Sequence, residues 1–269
     1  MKSILLHIND DAGQEARLHA ALALVRRHSA RLTCIQVTPI SDFVVTDPFG
    51  GMYELKTLFE HIAKQAVEAR TRIEARLSNE GVEWEWSALN GNVAGTIVQR
   101  SQLSDLVVLS QDDGARSAKS SPLTLVADVA VHARTPVLVV PITGPTFDPD
   151  GVALIAWNGA PEAAHAVRAA LPMLKVARAV HVVTFDENED FPMNEVRRYL
   201  AVHGVAAECS EHRLDGKSVG DALCLAASDH KAAYIVMGAY GHSRFREAIL
   251  GGVSRYMLSH STVPLLLAH

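Results

Sequence analysis

Tyr234-Ile235-Val236-Met237-Gly238-Ala239-Tyr240-Gly241-His242-Ser243-Arg244 leads to Leu250-Gly251-Gly252-Val253-Ser254, and Val263-Pro264-Leu265-Leu266-Leu267 closes the stretch. Tyr234 to Met237 is an apolar, β-rich run that stops at glycine, the pattern of a buried parallel strand opening into a loop. Gly238, Gly241 and Gly251 then recur at Gly-x2-Gly-x9-Gly. Glycine lets a backbone turn sharply and lets a ligand approach its N–H groups. Gly252 to Leu258 reads as a helix, and its free N-terminal N–H groups are a ready anion site. Strand, glycine loop, helix, strand therefore reads as a phosphate cradle at the carboxyl edge of a parallel sheet, although the same glycines suit a βα turn without a ligand.

Working outward, the chain alternates strand and helix. Ser3 to Ile8 is an apolar strand, followed by a helix from Glu15 to His28 and a strand from Arg31 to Thr38. Tyr53 to Asn79 has a long helical pattern that Gly81 ends, as a C-terminal glycine should. Val82 to Ala88 alternates as a half-buried strand does. A helix from Asn92 to Leu103, a strand from Asp105 to Ser110, a helix from Pro122 to Ala133 and a strand from Pro136 to Val140 complete the first set. Residues 141–150, with Pro141, Gly144, Pro145 and Pro149, form a linker pattern. The second half repeats the plan: strands at Val152 to Trp157, Ala179 to Phe185, Val205 to Arg213 and Tyr234 to Met237 alternate with helices at Pro161 to Val176, Pro192 to His203 and Ser218 to His230. Such alternation needs crossover helices and parallel sheets.

The repeat has a fixed interval. Ser110 and Pro136 are 26 residues apart, as are Gly238 and Pro264. In that register Gly238 faces Ser110, Gly241 faces Asp113, Gly251 faces Leu123 and Gly252 faces Thr124. The first copy thus lacks the three glycines, and Asp112 and Asp113 place negative charge where a phosphate would sit. The expectation is two domains, 1–143 with a degenerate motif and 151–269 with the intact one, and a single nucleotide site in the second.

Composition narrows the function classes. The net charge is −5, from 25 basic and 30 acidic residues, with no basic stripe to hold nucleic acid. No apolar run reaches the roughly 20 residues of a membrane span. Three scattered cysteines, Cys34, Cys209 and Cys224, fit a reduced, cytoplasmic protein. Gly216-Lys217-Ser218 is no P-loop, because the required earlier glycine is Glu211. His203, Cys209 and His212 lack convergent metal-ligand spacing, and no nucleophile elbow is present. No catalytic or metal residue is therefore assigned.

The glycine motif and its setting resemble the universal stress protein family, whose ATP-binding members carry Gly-x2-Gly-x9-Gly-Ser/Thr after the fourth strand. Here the Ser/Thr position is Gly252, a departure that Ser254 either offsets or does not. The resemblance covers both halves. It implies two tandem Rossmann-like domains of the adenine nucleotide alpha hydrolase-like kind, each a five-stranded parallel sheet in the order 3-2-1-4-5 with helices on both faces. It also implies pairing through the last strands, here Val137 to Val140 with Leu265 to Leu267 as an intramolecular pseudo-dimer, and leaves a homodimer open. The family's acidic residue after the first strand is matched by Asn158, and in the first half by Asn9. Asparagine keeps an acceptor and loses the charge, and Asn158-Gly159 is equally a turn signal. Met237, Gly238, Gly241, His242, Ser243, Arg244, Gly251, Gly252, Val253 and Ser254 would form the cradle for ATP or a related adenine nucleotide and its magnesium; Arg244 alone also reads as a surface cation. Val182 and Val183 lie where the family contacts the base, but also read as core. The implied function is a stress-response sensor with an unidentified protein partner and at most slow ATP hydrolysis. A nucleotide-free interaction module and a metal-dependent hydrolase on the same scaffold are the alternatives.

Overall fold

The computed structural model describes residues 1–39, 52–111, 122–185, 191–239 and 252–269. The first half contains β1 (Ser3–Ile8), α1 (Gln14–His28), β2 (Arg31–Thr38), α2 (Met52–Leu77), β3 (Trp84–Asn90), α3 (Val93–Ser101), β4 (Leu106–Ser110), α4 (Pro122–His132) and β5 (Val137–Val140). The second contains β6 (Val152–Ala156), α5 (Pro161–Leu174), β7 (Ala179–Thr184), α6 (Met193–Val202), β8 (Glu208–Glu211), α7 (Val219–Asp229), β9 (Ala232–Gly238), α8 (Gly252–His260) and β10 (Leu265–Ala268). β8 is shorter than its sequence pattern, because Val205 N–H turns back to Leu200 O at 2.9 Å before the strand begins.

All the strands join one sheet in the order β3-β2-β1-β4-β5-β10-β9-β6-β7-β8. Each half thus has the order 3-2-1-4-5, parallel within itself. The halves meet where β5 and β10 pair antiparallel, Val137 opposite Leu267 and Val139 opposite Leu265. That pairing covers two edges whose backbone groups would otherwise be open templates for aggregation. The remaining edge strands, β3 and β8, carry Glu85, Glu208 and Glu211, charges that discourage further strand addition.

Strand alternation divides the apolar residues between two layers. Ile4, Leu6, Ala153, Ile155, Tyr234, Val236 and Leu266 pack with α1, α2, α5 and α6. Leu5, Leu154, Ile235, Met237, Leu265 and Leu267 pack with α3, α4, α7 and α8 on the other face. Each layer runs through both halves, so the central pairing is sealed by side chains as well as by its ladder. The 141–150 connection shares in this core: Phe147 is buried and meets Tyr234 edge-on at 6.0 Å, and Arg27 pairs with Asp150.

Candidate functional site

β6 lies between β7 and β9 in the sheet. The helices that follow β6 and its neighbour β9 pack on opposite faces, α5 on one and α8 on the other, and a crevice opens at this switch point, where open α/β sheets hold ligands. A cavity of about 310 Å³ occupies it, at the low end of the range usual for small-molecule sites. Ala156, Val183, Phe185, Val219, Leu223 and Met237 give it apolar walls, while Asn158, Glu162, Thr184 and Ser254 supply polar groups. Gly238 and the first turn of α8, Gly252-Val253-Ser254, close one end. The first N–H groups of that helix have no partner within the helix, and its dipole is positive there. Apolar walls with a helix N-terminus at one end suit a flat ring system joined to an anion.

The individual residues refine the expectations. Asn158 stands at the start of α5, exposed, and its Oδ1 accepts from Ala160 N at 3.1 Å. One half of its carboxamide therefore serves the turn, leaving Nδ2 as the group able to reach the cavity. Gly238 has a steric reason: a Cβ there would stand 2.6 Å from Ala163 N and 2.7 Å from the Glu162 carbonyl carbon. Only a bare backbone lets β9 cross the first turn of α5 this closely. At Gly252, by contrast, an added Cβ would meet nothing among the described residues. Asn158, Met237, Gly238, Gly252, Val253 and Ser254 all line the one cavity. Gly241, His242, Ser243, Arg244 and Gly251 fall outside the described residues. Glu162, Thr184, Phe185, Val219 and Leu223 also line it without having been selected from the sequence, as does Val183, which the family resemblance set against the base. Period-two alternation separates Val183 from Val182: Val182 packs with the α5 and α6 layer, and Val183 faces the cavity side. Among the described residues no His, Cys, Asp and Glu cluster is arranged to hold a metal ion, and no helix is long and apolar enough to cross a membrane.

At the corresponding place in the first half, the carboxyl ends of β1 and β4, a buried cation ties the chain to itself. Arg17 is 2% exposed. Its Nε donates to His7 O at 3.1 Å, and its Nη1 donates to Asp11 Oδ1 at 2.8 Å and to Ser110 Oγ at 2.6 Å. Its Nη2 donates to Asn9 O at 3.0 Å and to Gln14 Oε1 at 3.2 Å. Every nitrogen of the guanidinium is thus engaged by the protein. Burial, reinforced by the Arg17 charge, pushes the His7 imidazole down to about 3, so it is neutral at physiological pH. Asp112 and Asp113 lie outside the described residues.

The family model of the universal stress protein family matches residues 152–269, the half that holds the open cavity. It is residues 152–269 that carry the likeness to that family. Solved structures extend the likeness of fold to the whole length. A universal stress protein from Archaeoglobus fulgidus is 15% identical with a TM-score of 0.75, over 98% of this chain and 97% of that one. A putative universal stress protein from Pseudomonas aeruginosa UCBPP-PA14 is 17% identical with a TM-score of 0.61, over 100% and 93%. A functionally unknown protein from Pseudomonas aeruginosa PAO1 is 16% identical with a TM-score of 0.62, over 100% and 92%. No curated protein matches the chain. At these identities the structural likeness speaks for the universal stress protein fold of both halves, not for a shared ligand.

Proposed function

We propose that the C-terminal half binds ATP or a related adenine nucleotide, one per chain, and that occupancy is a regulatory signal in a cytoplasmic stress response. The observation that carries this reading is the switch-point cavity whose apolar walls end at Gly238 and the N-terminus of α8. The base would lie against Val183, Phe185 and Leu223. The phosphates would face the first-turn N–H groups of α8 and the motif segment from Gly238 to Gly252, with magnesium offsetting the nearby Glu162 carboxylate. Nucleotide contacts with that segment would alter the surface offered to a protein partner, to the extent that the nucleotide favours one arrangement over another. The first half is assigned a structural role, because at the corresponding place Arg17 is committed to the protein's own acceptors.

Calorimetric titration of the nucleotide-stripped protein with magnesium-ATP, and in parallel with AMP and GTP, tests the proposal. Saturable binding near one ATP per chain is expected. Gly252→Glu sets a carboxylate among the phosphate donors at a position where an added Cβ meets nothing among the described residues; it abolishes binding while unfolding stability stays within about 0.5 kcal/mol. Absence of heat and of thermal shift with every nucleotide refutes the proposal and favours an interaction module.

A further inference from the structure

The cavity has a brace that the nucleotide motif does not include. Tyr256 lies one turn beyond Gly252 on α8, and its hydroxyl donates to Asp221 Oδ1 at the start of α7. Asp221 is fixed in turn: its Oδ2 accepts from Ser218 Oγ at 2.6 Å, and its N–H donates to the same oxygen at 3.1 Å. The Tyr256 ring lies directly on Gly220, where a Cβ would stand 2.3 Å from Cδ1 and 3.1 Å from the tyrosine Cβ. His260 stacks on the ring, with centroids 4.1 Å apart and planes 9° from parallel. Val219 and Leu223 of α7 and Gly252, Val253 and Ser254 of α8 line the same cavity. This contact therefore joins the two helices that border it, one turn from the N–H groups facing the anion end.

We propose that Tyr256 is a positioning residue, a latch that fixes the first turn of α8 against α7 and so sets the affinity of the cavity for a phosphate-bearing ligand. This rests on the nucleotide reading above. Hydrogen bonds from Ser218 and then Tyr256 hold the Asp221 carboxyl below its ordinary range, and the bond to Asp221 pushes the Tyr256 phenol up to about 12. Donor and acceptor therefore keep their roles around neutral pH. The first half lacks the pair. Its helix cap is built alike, with Asn92 Oδ1 accepting from Gly95 N at 2.8 Å, but Gly95 stands in place of Asp221. In the register that sets Gly238 against Ser110, Asp128 stands in place of Tyr256. The latch thus accompanies the open crevice and is missing from the half whose strand ends Arg17 ties together.

Tyr256→Phe tests this, since it keeps the ring on Gly220 and removes only the hydroxyl. Magnesium-ATP is expected to bind about tenfold more weakly, the order expected for loss of a hydrogen bond to a charged group. Asp221→Asn, which retains an acceptor, is expected to fall between. In the ligand-free protein, amides of Tyr256, Met257 and Leu258, the first that bond within α8, should exchange about fivefold faster with solvent in Tyr256→Phe, those of β9 and α5 being unchanged. Unchanged exchange and affinity overturn the latch while leaving nucleotide binding in place. Faster exchange with unchanged affinity overturns its positioning role. Faster exchange in a protein whose wild type binds no nucleotide overturns the nucleotide reading, and leaves the latch supported as the support of α8.

Discussion

Arg17→Met removes the guanidinium that ties together the carboxyl ends of β1 and β4 while keeping most of the side-chain volume. The substitution removes the guanidinium donor from His7 O, Asn9 O, Gln14 Oε1, Ser110 Oγ and the Asp11 carboxylate, while Gln14 Oε1 keeps the Asn9 N–H and Asp11 keeps the Gly13 N–H and Asn9 Nδ2. Breaking a buried ion pair by removing one partner costs about 3–5 kcal/mol. Asp11 is 32% exposed against 2% for Arg17, so water recovers part of the carboxylate's solvation and the lower end of that range applies. A loss of about 3 kcal/mol is a large part of a normal folding free energy and lowers Tm by about 6–12 °C in a chain of this size. Arg17→Lys should recover only part of it, since one ammonium cannot span acceptors on both sides of a planar fork. Urea denaturation of the three proteins measures the difference directly, and the ATP titration of the second half should be unaffected by either change. A loss below about 1 kcal/mol for Arg17→Met would refute the reasoning, because these strand ends would then not depend on their internal cation.

Asn158→Asp keeps the acceptor for Ala160 N–H and adds a second ionised oxygen beside the cavity, so ATP affinity should rise about three- to tenfold; equal or weaker binding in the same titration would place the nucleoside contact elsewhere. His7 makes stability depend on pH. Its folded value near 3 lies below the ordinary 6.5, so the unfolded chain takes up a proton that the folded one refuses. The contribution is whole above about pH 7 and falls as pH drops towards 3, by about 2 kcal/mol between pH 7 and 5. Stability profiles should be flatter for His7→Gln than for the wild type, and equal slopes would show that another group carries the dependence.

The architecture was legible because its signals are local and repeated. Apolar runs bounded by glycine, proline and capping residues marked the strands and helices, and the equal 26-residue intervals exposed the duplication. The central β5–β10 pairing came from the family resemblance, since nothing in the periodicity of Val137 to Val140 names Leu265 to Leu267 as its partner. The cavity was legible along the strand that carries the glycines. It was not legible at Thr184, Phe185, Val219 and Leu223, whose approach depends on how β7 and α7 pack in three dimensions. Thr184 and Phe185 could have been found by one rule, that residues at the carboxyl end of the strand beside a switch point face the crevice. Arg17 gave no such signal: on a helix pattern it reads as a surface cation, and only the fold brings five acceptors around it.

The two halves differ through one exchange at the crossing of strand and helix. Each half brings the end of its fourth strand against the first turn of its first helix, and each has a single residue without a side chain there. In the first half it is on the helix side: a Cβ on Gly13 would stand 2.2 Å from Ser110 Oγ. In the second it is on the strand, Gly238 against Glu162 and Ala163. Either choice satisfies the packing, but they leave different groups at the strand end. Ser110 presents a hydroxyl that accepts from Arg17 and helps hold it. Gly238 presents bare backbone beside a cavity, and in the helix register that pairs Asn9 with Asn158 the place of Arg17 is taken by Ala166, which is fully buried. The side on which the glycine falls therefore goes with the difference between a strand end tied by its own cation and one that borders a cavity.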